Sequence, residues 1–369
     1  TRLVDIDRDL LLIPNVAIHM NRQANEGYKW NLAVDMQPLL GLKNSHGKLA
    51  KLLEAEAGGK IIGHDLYLYV REKASIWGID QEFLSSPALD DLQSVWGAFQ
   101  GFLHASESQD IPVFCAFNSE EIGSRTYHGA DSNILCDMLS RICDSLGKDV
   151  RQLISQSFMI SADNAHAVHP NHPEYCDKDN RAYMNAGPVV KFSANQKYTT
   201  DGISASVFKE ICKAASVPTQ SFVNRSDLAG GSTLGNLANT QVSMNTVDIG
   251  LAQLAMHSAY ETAGSHDVEL MVKALQKFYS TDIDIIDAAG IERSTIIPME
   301  GNLTVSRDVS ASEIHGDGIA SGQRRNRFHD NKSGHIGRGS HITNRKRTVS
   351  GIFHSTIEVQ MHCIERSIK

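Results

Sequence analysis

An α/β fold with a mostly parallel sheet covered by helices is the architecture this sequence predicts for residues 73–281, and three observations predict it. Short apolar runs alternate with amphipathic helical stretches along the chain. The apolar runs are nearly continuous rather than strictly alternating, as strands covered on both faces must be. Charged and polar clusters recur where those runs end, the edge at which open α/β sheets hold their ligands.

The elements follow in order. In residues 1–72, LLLIPNVAIHM and HDLYLYV read as strands, with a helix at GKLAKLLEAEA between them. Asp90 and Asp91 precede Leu92, Val95, Phe99 and Leu103, a helical spacing with an acidic start. VFCAF is a buried strand. SNILCDMLSRICDSLG sets Ile134, Leu135, Met138, Leu139, Ile142 and Leu146 on one helix face. SFMISAD is a further strand and ASVFKEICKAA a further helix; QSFVNRSD and NTVDIG are strands, and HDVELMVKALQKFY closes with a helix.

Beyond about Thr281 the character changes. IIDAAGIERSTIIPMEGN fits no single period, and residues 301–369 sustain none. Arg324, Arg325, Arg327, Lys332, Arg338, Arg345, Lys346 and Arg347 face only Asp330 in that stretch. Such a run is either a tail for nucleic acid or phosphate, or a disordered extension; its Gly, Ser, His and Asn content favours the extension. Residues 282–369 are therefore expected to be a tail outside the α/β domain.

The bulk numbers narrow the class. With 369 residues, 41% of them hydrophobic, the chain buries a sizeable core in two or three domains. A net charge of -8 gives no global basic field for nucleic acid. The longest apolar stretch, Leu10–Ile18, is too short to span a bilayer and contains Pro14. No segment reads as a signal peptide, and the 6 cysteines show no CxxC spacing. Reduced thiols and a cytoplasmic protein are expected.

The chemistry sits at the strand ends. Taken singly, Asp90 is a helix cap, Glu120 and Glu121 a solvated turn, Asp163 a turn residue and His257 a core histidine. Taken together, they are hard oxygen and imidazole donors at successive strand ends, with no thiolate among them. That set suits a pair of zinc, manganese or cobalt ions rather than a structural zinc. Adjacent glutamates then have a purpose: one carboxylate binds a cation, and its neighbour takes a proton from the activated water.

SADNAHAVHPNHPE, GPVVKFSANQKYTT, SFVNRSDLAGGSTLG and VDIGLAQLAMHSAYETAG occur in that order, preceded by SEEIGS, LDD and LLIPNVAIHMNR. Over residues 1–281 the chain thereby resembles the aspartyl aminopeptidases, a family of dinuclear zinc metallopeptidases. The resemblance implies a zinc exopeptidase-like catalytic domain over 73–281, with 1–72 part of an inserted, mainly-β dimerisation domain. It implies hydrolysis of N-terminal, acidic residues from peptides. Two Zn2+ per subunit are implied, with Mn2+ or Co2+ as substitutes, and dimers that assemble into a dodecamer. Neither membrane nor nucleic acid is an expected partner.

By the same resemblance Asp90 bridges both metals, Glu121 and His257 are ligands of one, and Asp163 is a ligand of the other. Glu120 is the general base. His166, Lys191 and Tyr198 line the substrate pocket, with Lys191 a candidate partner for an acidic side chain; His19 reaches a neighbouring subunit's site. GGSTLG lacks the ending of a nucleotide-binding loop and reads as cleft wall.

The pattern also departs from the family. The His-Thr-Asp-Ser-Pro motif, whose histidine binds the metal shared by Asp90 and Asp163, occurs nowhere in this sequence. SPALDD stands where relatives have Arg-Leu-Asp-Asn, and residues after 281 resemble nothing in the family. A frameshifted or misassembled reading frame accounts for both ends. The expectation is a chain that begins inside the inserted domain, with a weakened second metal and a strand edge or apolar face left uncovered. The alternative to a working enzyme is therefore a catalytically impaired fragment or oligomerising subunit.

Overall fold

In the computed structural model the described residues are 1–286, 294–299, 302–307 and 353–359. Residues 1–73 form a unit of their own, and a second begins at Ala74. The first unit holds two helices, α1 (Leu32–Asp35) and α2 (Lys48–Ala57). The side chain of Asn31 caps α1 by accepting from Ala33 N at 3.1 Å. Gly58, at φ +70°, ends α2 in the left-handed conformation that glycine adopts without a Cβ penalty.

The two strands expected in this unit do not form. LLLIPNVAIHM contributes one bridge, Leu12 to Leu39, and HDLYLYV pairs with no strand. A strand period supplies no hydrogen bonds without a partner. Leu66, Tyr67, Leu68, Tyr69 and Val70 are all exposed, so neither face of that run is covered. It is tied instead by side chains: the Tyr69 hydroxyl donates to Asp5 at 2.8 Å, and Arg71 spans Asp7 and Asp9 at 2.6 and 2.5 Å. Such exposed contacts are screened by solvent and hold the run only weakly.

The second unit opens with β1 (Ser75–Trp77), β2 (Phe83–Ser86) and α3 (Leu89–Leu103). There follow β3 (Ile111–Phe117), α4 (Ile134–Ser145), α5 (Val150–Ser155), β4 (Phe158–Ala162) and β5 (Ala165–His166). Next come β6 (Val189–Phe192), α6 (Gly202–Ala214), β7 (Gln220–Val223), α7 (Leu234–Gln241) and β8 (Asn245–Gly250). The unit continues with β9 (Ala252–Leu254), β10 (Glu261–Gly264) and α8 (Asp267–Tyr279). Four strands lie beyond residue 281: β11 (Asp282–Ile286), β12 (Ser294–Met299), β13 (Asn302–Arg307) and β14 (Phe353–Val359).

The main sheet runs β3-β14-β4-β8-β6-β7, parallel throughout except where β6 meets β8. β14 therefore separates β3 from β4, and all three end at the same edge of the sheet. A second sheet runs β1-β2-β10-β9-β5, and β11-β13-β12 form a third. Parts of the 282–369 stretch thus hold strands, while the basic run from Arg324 to Arg347 lies outside the described residues.

β4 shows why the apolar runs are continuous. Phe158, Ile160 and Ala162 pack with side chains from α3, α6 and α8, while Met159 packs with the α4, α5 and α7 side. Period two puts alternate residues on opposite faces, and both faces are covered. Each fully buried aliphatic side chain contributes about 1.5–3 kcal/mol by leaving water. α3 lies close against α8 because Gly97 and Gly101 share a face; a Cβ there would meet Met271 Cγ and Leu275 Cβ at 2.8 Å.

Candidate metal centre

Each candidate ligand is placed by a local feature of the chain. After β3, Ser119 takes φ +65° and a single 3-10 turn, Glu120–Ile122, carries both glutamates before Gly123 at φ +100°. Asp90 and Asp91 lie at the start of α3 with non-helical backbone, joined by a cis peptide, and Asp90 does not act as a helix cap. Asp163 follows β4 directly, its N–H donating to Ile249 O at 3.0 Å. His257 follows β9 at φ +66°. These turns end the elements and aim the side chains beyond the sheet edge.

Two groups of ligand atoms result. Asp90, Glu121 and His257 offer one atom each within 4.8 Å of one another, and so do Asp90, Asp91 and Asp163. His257 Nε2 lies 3.2 Å from Asp90 Oδ2 and 3.0 Å from Glu121 Oε2. Burial, reinforced by the Asp90 charge, raises Glu121 to about 8; the hydrogen bond to Asp90 pushes His257 up to about 9. Upward shifts of both a carboxyl group and an imidazole mark a place that gathers negative charge and rewards a cation.

The other flank is buried more deeply. Lys191 Nζ donates to Asp163 O at 2.8 Å and Asn164 O at 3.3 Å, and lies 3.5 Å from Asp163 Oδ2. Its side chain is 2% exposed. Burial pulls Lys191 down more than any one neighbour raises it, but Asp163, Tyr198, Asp248 and Asp91 together outweigh it and the net shift is upward. Burial raises Asp163 to about 6 despite Lys191. Lys191 therefore spends its hydrogen bonds on Asp163 and Asn164 in this structure, and its ammonium sits 5.0 Å from the Tyr198 ring centre. That differs from the expectation of a cation open to an acidic side chain. A run reading VVKF gave no sign that its lysine would turn inward.

Tyr198 is buried, and its hydroxyl accepts from Asn224 Nδ2 at 3.3 Å. His166 is exposed on one side, yet surrounding atoms and the Lys191 charge hold its imidazole below the usual value. It borders a cavity of about 230 Å³ with Phe222, Asn224, Arg225 and Gly230. The glycines of GGSTLG do form wall: Gly230 and Gly231 line this cavity. A Cβ on Gly235 would meet Asp248 Oδ1 and Ser161 Oγ at about 2.5 Å or less. Glu120 is half-buried next to Glu121. His19 lies exposed in a turn of the 1–73 unit.

Residues that sequence reasoning passed over complete the frame. Glu261 is buried and accepts from Asp90 N at 2.9 Å and His257 N at 2.7 Å, clamping the backbones of two candidate ligands. Asn164 accepts from Ser94 Oγ and Gln93 Nε2 and donates to Leu89 O, locking the start of α3 to the end of β4. The only signal for Glu261 was its place four residues after His257.

The residues present fit a divalent cation. Asp90 is 4% exposed and its Oδ1 has no hydrogen-bond partner, although a buried carboxylate oxygen left unmatched costs about 1–3 kcal/mol or more. That oxygen belongs to both ligand groups' shared residue. Oxygen and imidazole donors without sulfur suit zinc, manganese or cobalt.

Similarity to known proteins agrees. Residues 1–279 match the family described as Aminopeptidase I zinc metalloprotease (M18). The "Probable M18 family aminopeptidase 2" of Clostridium novyi (strain NT) is 46% identical over 291 residues, covering 76% of this chain and 67% of the relative. A cryo-EM structure of the Ape4 and Nbr1 complex matches with TM-score 0.66 and 33% identity over 75% of this chain and 59% of that one. A structure of the S. cerevesiae mApe1 dodecamer, at 24% identity and TM-score 0.61, covers 75% of this chain and 64% of that one and shows the shared fold. The chain thus spans roughly three fifths to two thirds of these proteins' length. It belongs to the M18 family of aminopeptidase I zinc metalloproteases.

Proposed function

We propose that this chain is a metal-dependent aminopeptidase that removes N-terminal, acidic residues from peptides. The observation that carries the reading is the convergence of Asp90, Glu121 and His257, with the buried Asp90 Oδ1 left unmatched. A divalent cation bound there supplies Lewis acidity to a water and to the peptide carbonyl. Asp90 is shared between two positions, Glu121 and His257 complete one, and Asp163 belongs to the other.

Glu120 is the general base: it takes the proton of the attacking water and passes it to the departing amine. It shares one turn with Glu121, which supports a base next to a ligand rather than a second ligand. His166 and Tyr198 border the substrate, and the imidazole, held neutral, donates or accepts a hydrogen bond without adding charge. Lys191 holds Asp163 in place and leaves a positive field behind it for an acidic side chain. His19 serves the site of a neighbouring copy in a homo-oligomer, for which the dodecameric relative is the support. No helix among the described residues is long and apolar enough to cross a membrane. Cytoplasmic peptides are the proposed substrates.

The alternative is an impaired or purely oligomerising chain. One experiment separates the two. Protein stripped of metal and reloaded with Zn2+, Mn2+ or Co2+ is offered peptides beginning with Asp, Glu or Ala. Release of the first residue, fastest from Asp or Glu, supports the enzyme. Metal uptake without any release supports the impaired chain.

A further inference from the structure

Asp248 is a buried carboxylate to which the proposed chemistry gives no part. It sits inside β8 between Val247 and Ile249, and all three are fully buried. A carboxylate in an apolar strand is costly unless hydrogen bonds offset its burial. Here those bonds go to one loop. Asp248 Oδ2 accepts from both the N–H and the hydroxyl of Thr199, the hydroxyl at 2.7 Å. Asp248 N donates to Thr200 Oγ1 at 2.8 Å. The loop so held joins β6 to α6; residues 194–197 are exposed, whereas Tyr198 and Thr200 are buried. The chain thus turns inward where Asp248 grips it. Tyr198 places its ring 5.0 Å from Lys191 Nζ, and its hydroxyl accepts from Asn224 Nδ2 at 3.3 Å. Asn224 in turn lines the cavity that His166 borders.

We propose that Asp248 is a positioning residue for the substrate side of the site, holding Tyr198 at the cleft border through Thr199. This rests on the reading of Tyr198 as a residue that borders the substrate. The hydroxyl contact to Asn224 is long and joins two neutral groups, so it fixes the ring weakly. Bonds to a carboxylate are roughly twice as strong as neutral ones, and Thr199 makes two of them. One grips the backbone and the other the side chain of the residue next to Tyr198, so the anchor beneath the ring sets where the ring lies. Gly235 keeps room for this carboxylate, since a Cβ there would run into Asp248 Oδ1. Asp248 itself touches no substrate; it acts through Thr199 and Tyr198.

The test uses the full chain loaded with Zn2+ and labelled with fluorotyrosine, with Tyr198→Phe to assign the Tyr198 signal by fluorine NMR. Asp248→Ala is expected to move or broaden that signal. Asp248→Asn, which keeps an acceptor for Thr199, is expected to restore it. On peptides beginning with Asp, Asp248→Ala is expected to raise KM about 10-fold, with kcat per metal-loaded chain within about 3-fold of wild type. In a Tyr198→Ala background the same change is expected to add less than about 2-fold to KM, because the ring it acts through is gone. Equal increases in both backgrounds overturn the proposal, and so does a lowered Tm with KM and the Tyr198 signal unchanged. Should Asp248→Ala fail to fold, Thr199→Val decides: a moved signal with a raised KM supports the proposal, and an unmoved signal or an unchanged KM overturns it. A wild type that releases no residue from any peptide sinks the aminopeptidase reading instead, and the Tyr198 signal alone then decides whether Asp248 holds the ring.

Discussion

Glu121 and Asp163 stand on opposite sides of Asp90 and meet the same problem, a carboxylate out of water, in different ways. Glu121 faces an imidazole whose side chain is 62% exposed, and its partner is reversible. Asp163 faces an ammonium 2% exposed, and its partner is permanent. The Glu121 flank can exchange His257's proton for a cation without moving a buried charge. The Asp163 flank cannot give up Lys191, so a cation there must coexist with an ammonium. Two flanks that offer the same kind of carboxylate thus meet a cation with different neighbouring charge, and that difference is open to experiment.

The largest expected effect concerns the pair of glutamates. Glu120→Gln removes the proposed base and is expected to cut turnover by roughly 10²–10⁴-fold while leaving metal content near wild type. Glu121→Gln is expected to lose metal from the His257 side first. Metal analysis beside initial rates distinguishes them; equal metal loss in both variants would erase the division of labour between the neighbours. On the other flank, Lys191→Met leaves Asp163 buried without its cation and is expected to cost about 3–5 kcal/mol. A lowered Tm in metal-free protein, recovering as pH drops far enough to protonate Asp163, is the expected signature. An unchanged Tm would mean that Lys191 does not hold this flank.

Much of this was legible in the sequence, and the boundary has a physical cause. VFCAF and SFMISAD were readable as strands because each is apolar on both faces, and both are covered, as Met159 opposite Ile160 shows. LLLIPNVAIHM and HDLYLYV carry the same kind of signal, but strand formation depends on a partner that the run itself does not encode. Asp90, Glu121, Asp163 and His257 were recognisable by residue type at strand ends. Glu261 and Asp91 were not, because what sets them apart is burial and a second hydrogen bond, which no spacing reveals. Lys191 was legible as a charge but not in its direction, since a lysine in a strand points inward only when a carboxylate waits there. The strand β14 was illegible for the same reason as the missing strands of residues 1–73: its partners lie far away in sequence.

A gentler contrast lies at Asp267, a buried carboxylate that forms no ion pair among the described residues, though the His266 charge beside it favours its ionised form. Its oxygens accept only backbone N–H groups, from Asn185 at 2.6 Å and Gly187 at 3.0 Å, and burial still raises it to about 6. A carboxyl group raised in the folded state binds its proton more tightly there than in the unfolded chain. Its contribution to stability is therefore greatest below the unfolded value of 3.8 and is lost as pH rises through about 6. The full span is worth at most about 3 kcal/mol at 1.36 kcal/mol per unit. Asp267→Asn has no proton to release, so it is expected to gain on wild type as pH climbs from 4 to 7, whatever its stability at either end. Denaturant titrations of both proteins across that range measure the gain. A difference that stays constant with pH would show that the two backbone donors fully offset the burial, and that a carboxylate here needs no cation at all.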